Sequence, residues 1–436
     1  MKAIRHGARI TMLTILLCAA LLLTSCSFFQ AFTVESLIRP PKLTGENALI
    51  EKAFEAAVNK DVMFISPIAG DYRTAFVQYD VDADGTDDTL VFYAKKESPN
   101  EAHMHLLKYD GENWYSAGDI TGNGSEVYSV AFYQFDQDAS YEVAVCWTVS
   151  DSRRSKTLSL YKTSLRDDVQ QLKQLSVIPL VDYLILDFDD DGLLELMYLM
   201  DNSSDAEQPF KVNLIKMDPS DDAFHFVCEL SLHQSVNLPL KISYDIRVLR
   251  CTLYVDCVNA DGTYMTEIFY YDTEKALFSR MVNAGGAELS ELTVRNTQVY
   301  CADIDNDRIV EVPVQREWDG ATVQYPEAEN SLPMSVIEFT KRHDNELLPM
   351  NVSYFYAPDA QFRFRTDEFL DEYVASYDAT EMLLQMFTRD ENASPLFSVQ
   401  FVPLAAHEAA FNIIITEPEV SLFTEKHIKS LLELIN

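Results

Sequence analysis

Along most of this chain apolar and polar residues alternate with a period of two, in short runs separated by turns rich in Asp, Asn and Gly. Ala75–Tyr79, Thr89–Lys95, His103–Tyr109 and Trp114–Ile120 are four such runs, and their aromatic and β-branched content marks them as strands. Asp110-Gly111 between the third and fourth predicts a tight hairpin. Two stretches depart from this rhythm. Ile50, Ala53, Phe54, Ala57 and Val58 fall at i, i+3, i+4, i+7 and i+8, which predicts a helix ahead of the strands. Beyond Tyr356, Gln361–Arg365, Ser398–Val402 and Phe411–Thr416 read as strands, whereas Glu368–Tyr373 and Thr424–Leu434 read as helices, the second capped by Thr424.

Between the first two strands lies Asp80-Val-Asp82-Ala-Asp84-Gly85-Thr86-Asp87-Asp88. The spacing returns at Asp187-Phe-Asp189-Asp-Asp191-Gly192-Leu193-Leu-Glu195 and at Asp303-Ile-Asp305-Asn-Asp307-Arg308-Ile309-Val-Glu311. Four carboxylates about 4 Å apart repel one another by on the order of 20 kcal/mol at an effective dielectric near 20, so the pattern calls for a cation. Ca²⁺ takes about six to eight oxygens. Side chains at positions 1, 3, 5 and 9 and the backbone carbonyl at position 7 could supply them. The candidate ligands are Asp80, Asp82, Asp84, Thr86 and Asp88; Asp187, Asp189, Asp191, Leu193 and Glu195; and Asp303, Asp305, Asp307, Ile309 and Glu311. Gly85 and Gly192 at position 6 suit a left-handed turn, and Arg308 replaces Gly in the third copy. An EF-hand is excluded, because it needs flanking helices and Glu at position 12, where Val91, Tyr198 and Val314 stand. Asp and Gly also favour plain turns, but three copies between apolar strands favour the metal.

A fourth, weaker copy is Gln134, Asp136, Asp138 and Glu142. Position 5 then recurs at Asp84, Asp138, Asp191 and Asp307, and the last gap is close to two repeats. A degenerate copy is therefore expected within Tyr244–Asp272, as strand, turn and strand with the metal loop lost. Four strands per unit of about 50 residues match a propeller blade, a unit that must stack on its neighbours to bury both faces.

The Asp-x-Asp-x-Asp-Gly-x-x-Asp/Glu loop between the first two strands of a unit resembles the FG-GAP/VCBS repeats of integrin-α-type β-propellers, over about Tyr72 to Tyr356. Phe-Gly and Gly-Ala-Pro signatures are missing. The resemblance implies Ca²⁺ in the loops and loops gathered on one face. The expected fold is mainly β: a β-propeller of four-stranded blades, about five and up to seven, with an N-terminal helix and a small C-terminal α+β domain. Five blades begin near Tyr72, Val127, Val181, Lys241 and Asn296.

The domain plan is a signal at 1–25, a tether at 26–44, a helix and lead-in at 45–70, the propeller at 71–357 and the C-terminal domain at 358–436. Lys2, Arg5 and Arg9 precede an apolar core from Ile10 to Leu23, too short for a comfortable membrane span. Leu23-Thr24-Ser25-Cys26 resembles a bacterial lipobox, which implies cleavage before Cys26 and lipidation of its sulfur. Two acyl chains suffice for stable anchoring. Loss of Lys2, Arg5 and Arg9 with the signal would take the formal net charge from −35 to −38. Such a field disfavours nucleic acid as a partner. Cys146, Cys228, Cys251, Cys257 and Cys301 lie in apolar runs, an odd number that reads as small buried thiols, with a Cys251–Cys257 bridge as the alternative.

The sequence contains no G-x-S-x-G, H-E-x-x-H, phosphate loop or G-x-G-x-x-G. His103 and His105 share a strand face, and are expected to be exposed histidines and not a metal pair. Among 69 acids, spacing cannot select a hydrolytic pair. The reading leans away from an enzyme. It describes a lipid-anchored Ca²⁺-binding propeller on the extracytoplasmic membrane face, binding a protein or glycan, with a polysaccharide hydrolase or lyase as the alternative and an envelope component as a third.

Overall fold

Short turns between alternating runs force consecutive strands to pair antiparallel, and the computed structural model shows this from one end of the repeat region to the other. It describes residues 46–58, 61–149, 152–166, 169–201, 210–247, 250–326, 330–357, 362–390, 394–403, 409–416 and 424–434. The signal, the tether and Cys26 lie outside the described residues. The predicted helix forms as α1 (Glu46–Ala57), with Ile50 and Phe54 buried.

The first sheet holds β1 (Val62–Phe64), β2 (Phe76–Tyr79), β3 (Asp88–Lys95), β4 (Ser98–Tyr109) and β5 (Trp114–Thr121), with β1 and β2 both pairing β3. Three four-stranded sheets follow in strict chain order. They are β6 (Glu126–Tyr133), β7 (Glu142–Val149), β8 (Ser152–Arg166) and β9 (Val169–Leu180); β10 (Asp182–Leu186), β11 (Glu195–Asp201), β12 (Phe210–Asp218) and β13 (Ala223–Ser231); and β14 (Val236–Arg247), β15 (Arg250–Asn259), β16 (Tyr264–Asp272) and β17 (Leu277–Arg280). In the fifth, β18 (Glu311–Gln324), β19 (Leu332–His343) and β20 (Glu346–Ala357) pair in order, and a bridge from Ala302 to Glu311 stands where the first strand would. The expected degenerate unit is the fourth sheet. Its β14 and β15 close through Arg247↔Arg250, so two residues stand where other units carry an acidic loop. The Asn259–Gly262 turn joins the second and third strands, so it is no relic of that loop.

Alternate residues of one strand serve two different cores. Leu90, Phe92, Met104 and Leu106 of the first sheet pack with Val127, Val143, Val145 and Trp147 of the second. On the second sheet's other face, Ala144, Cys146, Leu158 and Leu160 meet Leu196, Ile215 and Met217 of the third. Met197, Leu199, Val212 and Leu214 then meet Leu253, Val255 and Phe269 of the fourth, and Tyr254 and Ile268 meet Cys301 and Val312 of the fifth unit. The central strands are therefore buried on both faces, as β3 and β7 are along nearly their whole length. The structure is mainly β, with several four-stranded antiparallel sheets packed face to face. That arrangement is consistent with a propeller.

The C-terminal residues extend the fifth sheet. β21 (Phe362–Arg365) pairs β20 and β26 (Leu432–Leu434); β22 (Tyr373–Asp378), β23 (Leu383–Thr388), β24 (Phe397–Pro403) and β25 (Ala409–Ile415) add to the far half of β18 through the parallel contact Thr322↔Ser376. The helix expected over Glu368–Tyr373 is a turn. Its amides bond only Phe369 to Thr366 and Tyr373 to Phe369, too short a stretch to propagate, and Phe369 is instead drawn into a core with Phe364 and Phe397. The last helix is α2 (Glu425–Ser430), capped by the Thr424 hydroxyl as expected but ended early by β26.

The junction of the first two sheets is tight at Gly122. A Cβ there would lie 2.5 Å from the Trp147 ring, which is fully buried. Gly122→Ala should cost about 1–3 kcal/mol through overpacking. A urea unfolding midpoint equal to wild type would contradict this interface.

Candidate metal centres and a tyrosine-lined cavity

Each acidic loop is shaped by its own backbone amides. In the first, Asp84 and Gly85 donate to the two Asp80 oxygens at 3.0 and 2.9 Å, and Thr86 donates to Asp84 Oδ1 at 2.8 Å. The pattern repeats from Asp191 and Gly192 to Asp187, with Leu193 to Asp191, and from Asp307 and Arg308 to Asp303, with Ile309 to Asp307. It requires left-handed backbone at positions 4 and 6: Ala83 and Gly85, Asp190 and Gly192, Asn306 and Arg308 have φ between 57° and 89°. Arg308 accepts that conformation without glycine, so the third copy keeps the geometry of the others. The position-9 acid folds back to accept the amide of position 2: Val81 to Asp88, Phe188 to Glu195 and Ile304 to Glu311.

Carboxylate oxygens converge within 4.8 Å in three groups: Asp187, Asp189, Asp191 and Glu195; Asp303, Asp305, Asp307 and Glu311; and Asp80, Asp82 and Asp84. Asp88 stands apart from the first group. Gln134, Asp136, Asp138 and Glu142 do not gather within that distance, and the second loop lacks positive φ at Gln137 and Ala139. The Gln134 amide nitrogen reaches the Asp138 and Ala139 carbonyls. An all-oxygen donor set suits a hard cation such as Ca²⁺. Asp82 Oδ1 is buried without a hydrogen-bond partner, as an oxygen facing a cation site would be.

A lysine occupies the mouth of every acidic loop. Lys108 Nζ lies 2.6 Å from Asp82 and 3.0 Å from Asp88. Lys162 lies 2.6 Å from Asp136, 3.0 Å from Asp138 and 2.7 Å from Asp222 of the neighbouring sheet. Lys216 lies 2.9, 2.7 and 2.7 Å from Asp189, Asp191 and Glu195. Lys341 contacts Asp305 at 2.7 Å, Glu311 at 3.3 Å and Asp307. Burial alone would lower Lys162, Lys216 and Lys341, but their carboxylate partners outweigh it and hold all three well above the usual lysine value. Burial pushes Asp88 up to about 6 and Glu142 up to about 7, and raises Glu195 and Glu311.

A second cluster was expected to be exposed and is not. His103 and His105 are buried, at 3% and 2% exposure. Each presents Nδ1 to Asp119 of β5, at 3.2 and 3.4 Å, and the Tyr93 hydroxyl donates to the same carboxylate at 2.8 Å. Asp119, invisible to sequence spacing, is what organises this face. The five strand cysteines are free and buried, so the Cys251–Cys257 bridge is absent.

A cavity of about 400 Å³ opens among the first strands of three consecutive sheets. Tyr79 comes from β2, Phe132 and Tyr133 from β6 and Tyr183 from β10, with Tyr72 and Asp71 ahead of β2. Tyr79 and Phe132 stack at 3.9 Å, and Tyr72 meets Phe132 edge-on at 5.4 Å. Among the described residues, Asp71 is the sole carboxylate lining it. A second cavity, of similar size, lies beside Trp318, but Arg389 and Arg316 there pair with Asp319 and Glu338.

No protein-family profile matches this chain, and no curated protein matches its sequence. Solved structures of weak likeness include a Lactobacillus plantarum protein (11% identity, 76% of this chain, 85% of that one, TM-score 0.31). An endo-arabinase from Bacteroides thetaiotaomicron (10% identity, 63% and 96%, TM-score 0.25) is another. A third is a GH93 α-L-arabinofuranosidase of Fusarium graminearum in complex with arabinobiose (11% identity, 81% and 97%, TM-score 0.27). At such scores none assigns an activity to this chain.

Asp119 is held below the usual carboxylate range. Burial opposes this, but hydrogen bonds from His105 and Tyr93 and the nearby His103 outweigh it. A depressed carboxyl contributes stability above its unfolded value and loses it as pH falls. Asp119→Ala should cost about 1–3 kcal/mol at pH 7, because it withdraws a shared acceptor. The deficit should shrink below about pH 4, where wild type loses the carboxylate too. A deficit independent of pH in denaturation at pH 3 and 7 would contradict this role.

Proposed function

We propose that this protein is a lipid-anchored β-propeller of the extracytoplasmic membrane face, a divergent FG-GAP/VCBS-type chain that works as a binding module for a protein or glycan. The tyrosine-lined cavity carries this reading. It offers aromatic faces and phenol hydroxyls, which suit stacking and hydrogen bonding to a polyhydroxylated or peptide ligand. Glycoside hydrolysis by the common route needs two carboxyl groups about 5–9.5 Å apart, and among the described residues Asp71 lines the cavity without a second. Binding is therefore favoured over cleavage.

Ca²⁺ belongs to this proposal as a brace. Asp80, Asp82 and Asp84 would hold it in the first loop, Asp187, Asp189, Asp191 and Glu195 in the second, and Asp303, Asp305, Asp307 and Glu311 in the third, with the carbonyls of Thr86, Leu193 and Ile309. The ion would supply charge neutralisation and nothing chemical. Cys26 would carry the anchor, and Ser27 to Leu43 would hold the acidic body off the membrane.

At extracellular affinities of about 0.1–1 mM, raising Ca²⁺ to about 10 mM should stabilise each occupied loop by about 1–3 kcal/mol. The melting temperature should rise on passing from EDTA to CaCl₂ and not with MgCl₂; identical melts in all three would remove Ca²⁺ from the account. For the ligand, wild type should be retained on immobilised cell-wall glycans or envelope proteins, with Tyr79→Ala and Tyr183→Ala weakening retention roughly tenfold, as loss of a stacking anchor does. Release of new reducing ends from the glycans would favour the enzyme instead.

A further inference from the structure

We infer that Lys108, Lys162, Lys216 and Lys341 are the resident cations of the acidic loops, and that a divalent ion enters a loop only by displacing the lysine ammonium. This does not rest on the binding-module reading; it concerns what sets the occupancy of the cation sites.

The lysines are placed by sheet register. Glu195 pairs directly with Lys216 and Glu311 with Lys341 across the second and third strands of their units. Asp88 and Glu142 stand one step beyond the pairs Thr89↔Leu107 and Val143↔Tyr161, which sets them opposite Lys108 and Lys162. Directly opposed residues share a face, so each lysine is aimed back at the loop that its partner acid closes. Lys108, Lys162 and Lys216 follow one another at intervals of 54 residues.

The unit without a loop is an internal control. A further 54 residues lead to Tyr270, and its directly paired partner is Thr252. Where the acidic loop is lost, both the closing acid and the lysine are lost with it. A lysine kept for solubility or for strand pairing would have no reason to disappear there.

The contacts also exclude joint occupancy. Lys216 Nζ lies within 2.9 Å of Asp189, Asp191 and Glu195 at once. Ca²⁺ would need the same oxygens at about 2.3–2.6 Å, which is the volume the ammonium fills. The loops should exchange unequally. Lys216 and Lys341 retain 22% and 25% of their side-chain exposure and each contacts three acids of a group of four, which leaves their loops with excess negative charge. Lys108 is at 5%, beside the partnerless Asp82 Oδ1. Lys162 faces a loop with Gln134 at position 1 and is clamped from the next sheet by Asp222. Its loop should keep the lysine permanently.

Lysine reactivity tests this on the full chain. With limiting acetic anhydride in EDTA, peptide mass spectrometry should show all four lysines reacting at least roughly tenfold more slowly than exposed Lys96, as buried ion-paired amines do. CaCl₂ at about 10 mM should raise the rates at Lys216 and Lys341 several-fold and leave Lys162 slow. Rates like that of Lys96 in EDTA, or no response to Ca²⁺ at Lys216 and Lys341, would overturn the inference. Lys216→Met provides a second measurement. It should melt lower than wild type in EDTA and bind Ca²⁺ roughly tenfold tighter by calorimetry, because the competing state is gone. Folding only in the presence of Ca²⁺ would support the inference; affinity equal to or weaker than wild type would overturn it.

Discussion

Like charges confined to one turn have to be met by a cation, and most of what is distinctive in this fold follows from that requirement. Nine residues bring four carboxylates together, and their own amides pin the carboxylates in place at positions 1, 5 and 9. Without a cation such a loop would splay and carry the first two strands of its sheet apart. The chain answers from within, with a lysine on the third strand. Loop, second strand and third strand thereby become one electrostatic unit, repeated wherever the loop survives.

That unit also explains why the loops are poor candidates for the biological task. A group of acids satisfied by its own lysine is finished architecture. What remains open to a ligand lies on the first strands, where Tyr79, Tyr133 and Tyr183 turn phenols toward a shared space. The buried second strands cannot do this, since alternate residues are already committed to cores on both sides. Division of labour along each sheet thus follows from burial: first strands available, second strands packed, loops paired with a lysine.

How much of this was legible in the sequence depends on the range of the interaction. Strands and acidic loops are local patterns, and the sequence located both; the fourth unit lacks its loop as expected, but the Asn259–Gly262 turn joins its second and third strands. Asp88 was placed as a ligand by spacing, yet its oxygens do not join those of Asp80, Asp82 and Asp84, because an aspartate is shorter than the Glu195 and Glu311 that close the other copies. The lysines were missed because their meaning comes from register with a strand about 20–30 residues downstream; the 54-residue step from Lys108 to Lys162 to Lys216 was present in the sequence to be found. Asp119 and the tyrosine cavity depend on side chains brought together across strands and sheets, and no single segment announces them. Glu368–Tyr373 failed as a helix because the demand of a core for Phe369 outweighed the propensity of one short turn.

Hydrogen exchange of the Asp187–Glu195 loop in EDTA tests the requirement for a cation most directly. The amides of Asp191, Gly192 and Leu193 donate to loop carboxylates, so their protection reports whether the loop is closed. The account predicts protection in wild type without metal, loss of protection in Lys216→Met, and its recovery on adding Ca²⁺. Equal protection in wild type and Lys216→Met under EDTA would contradict it.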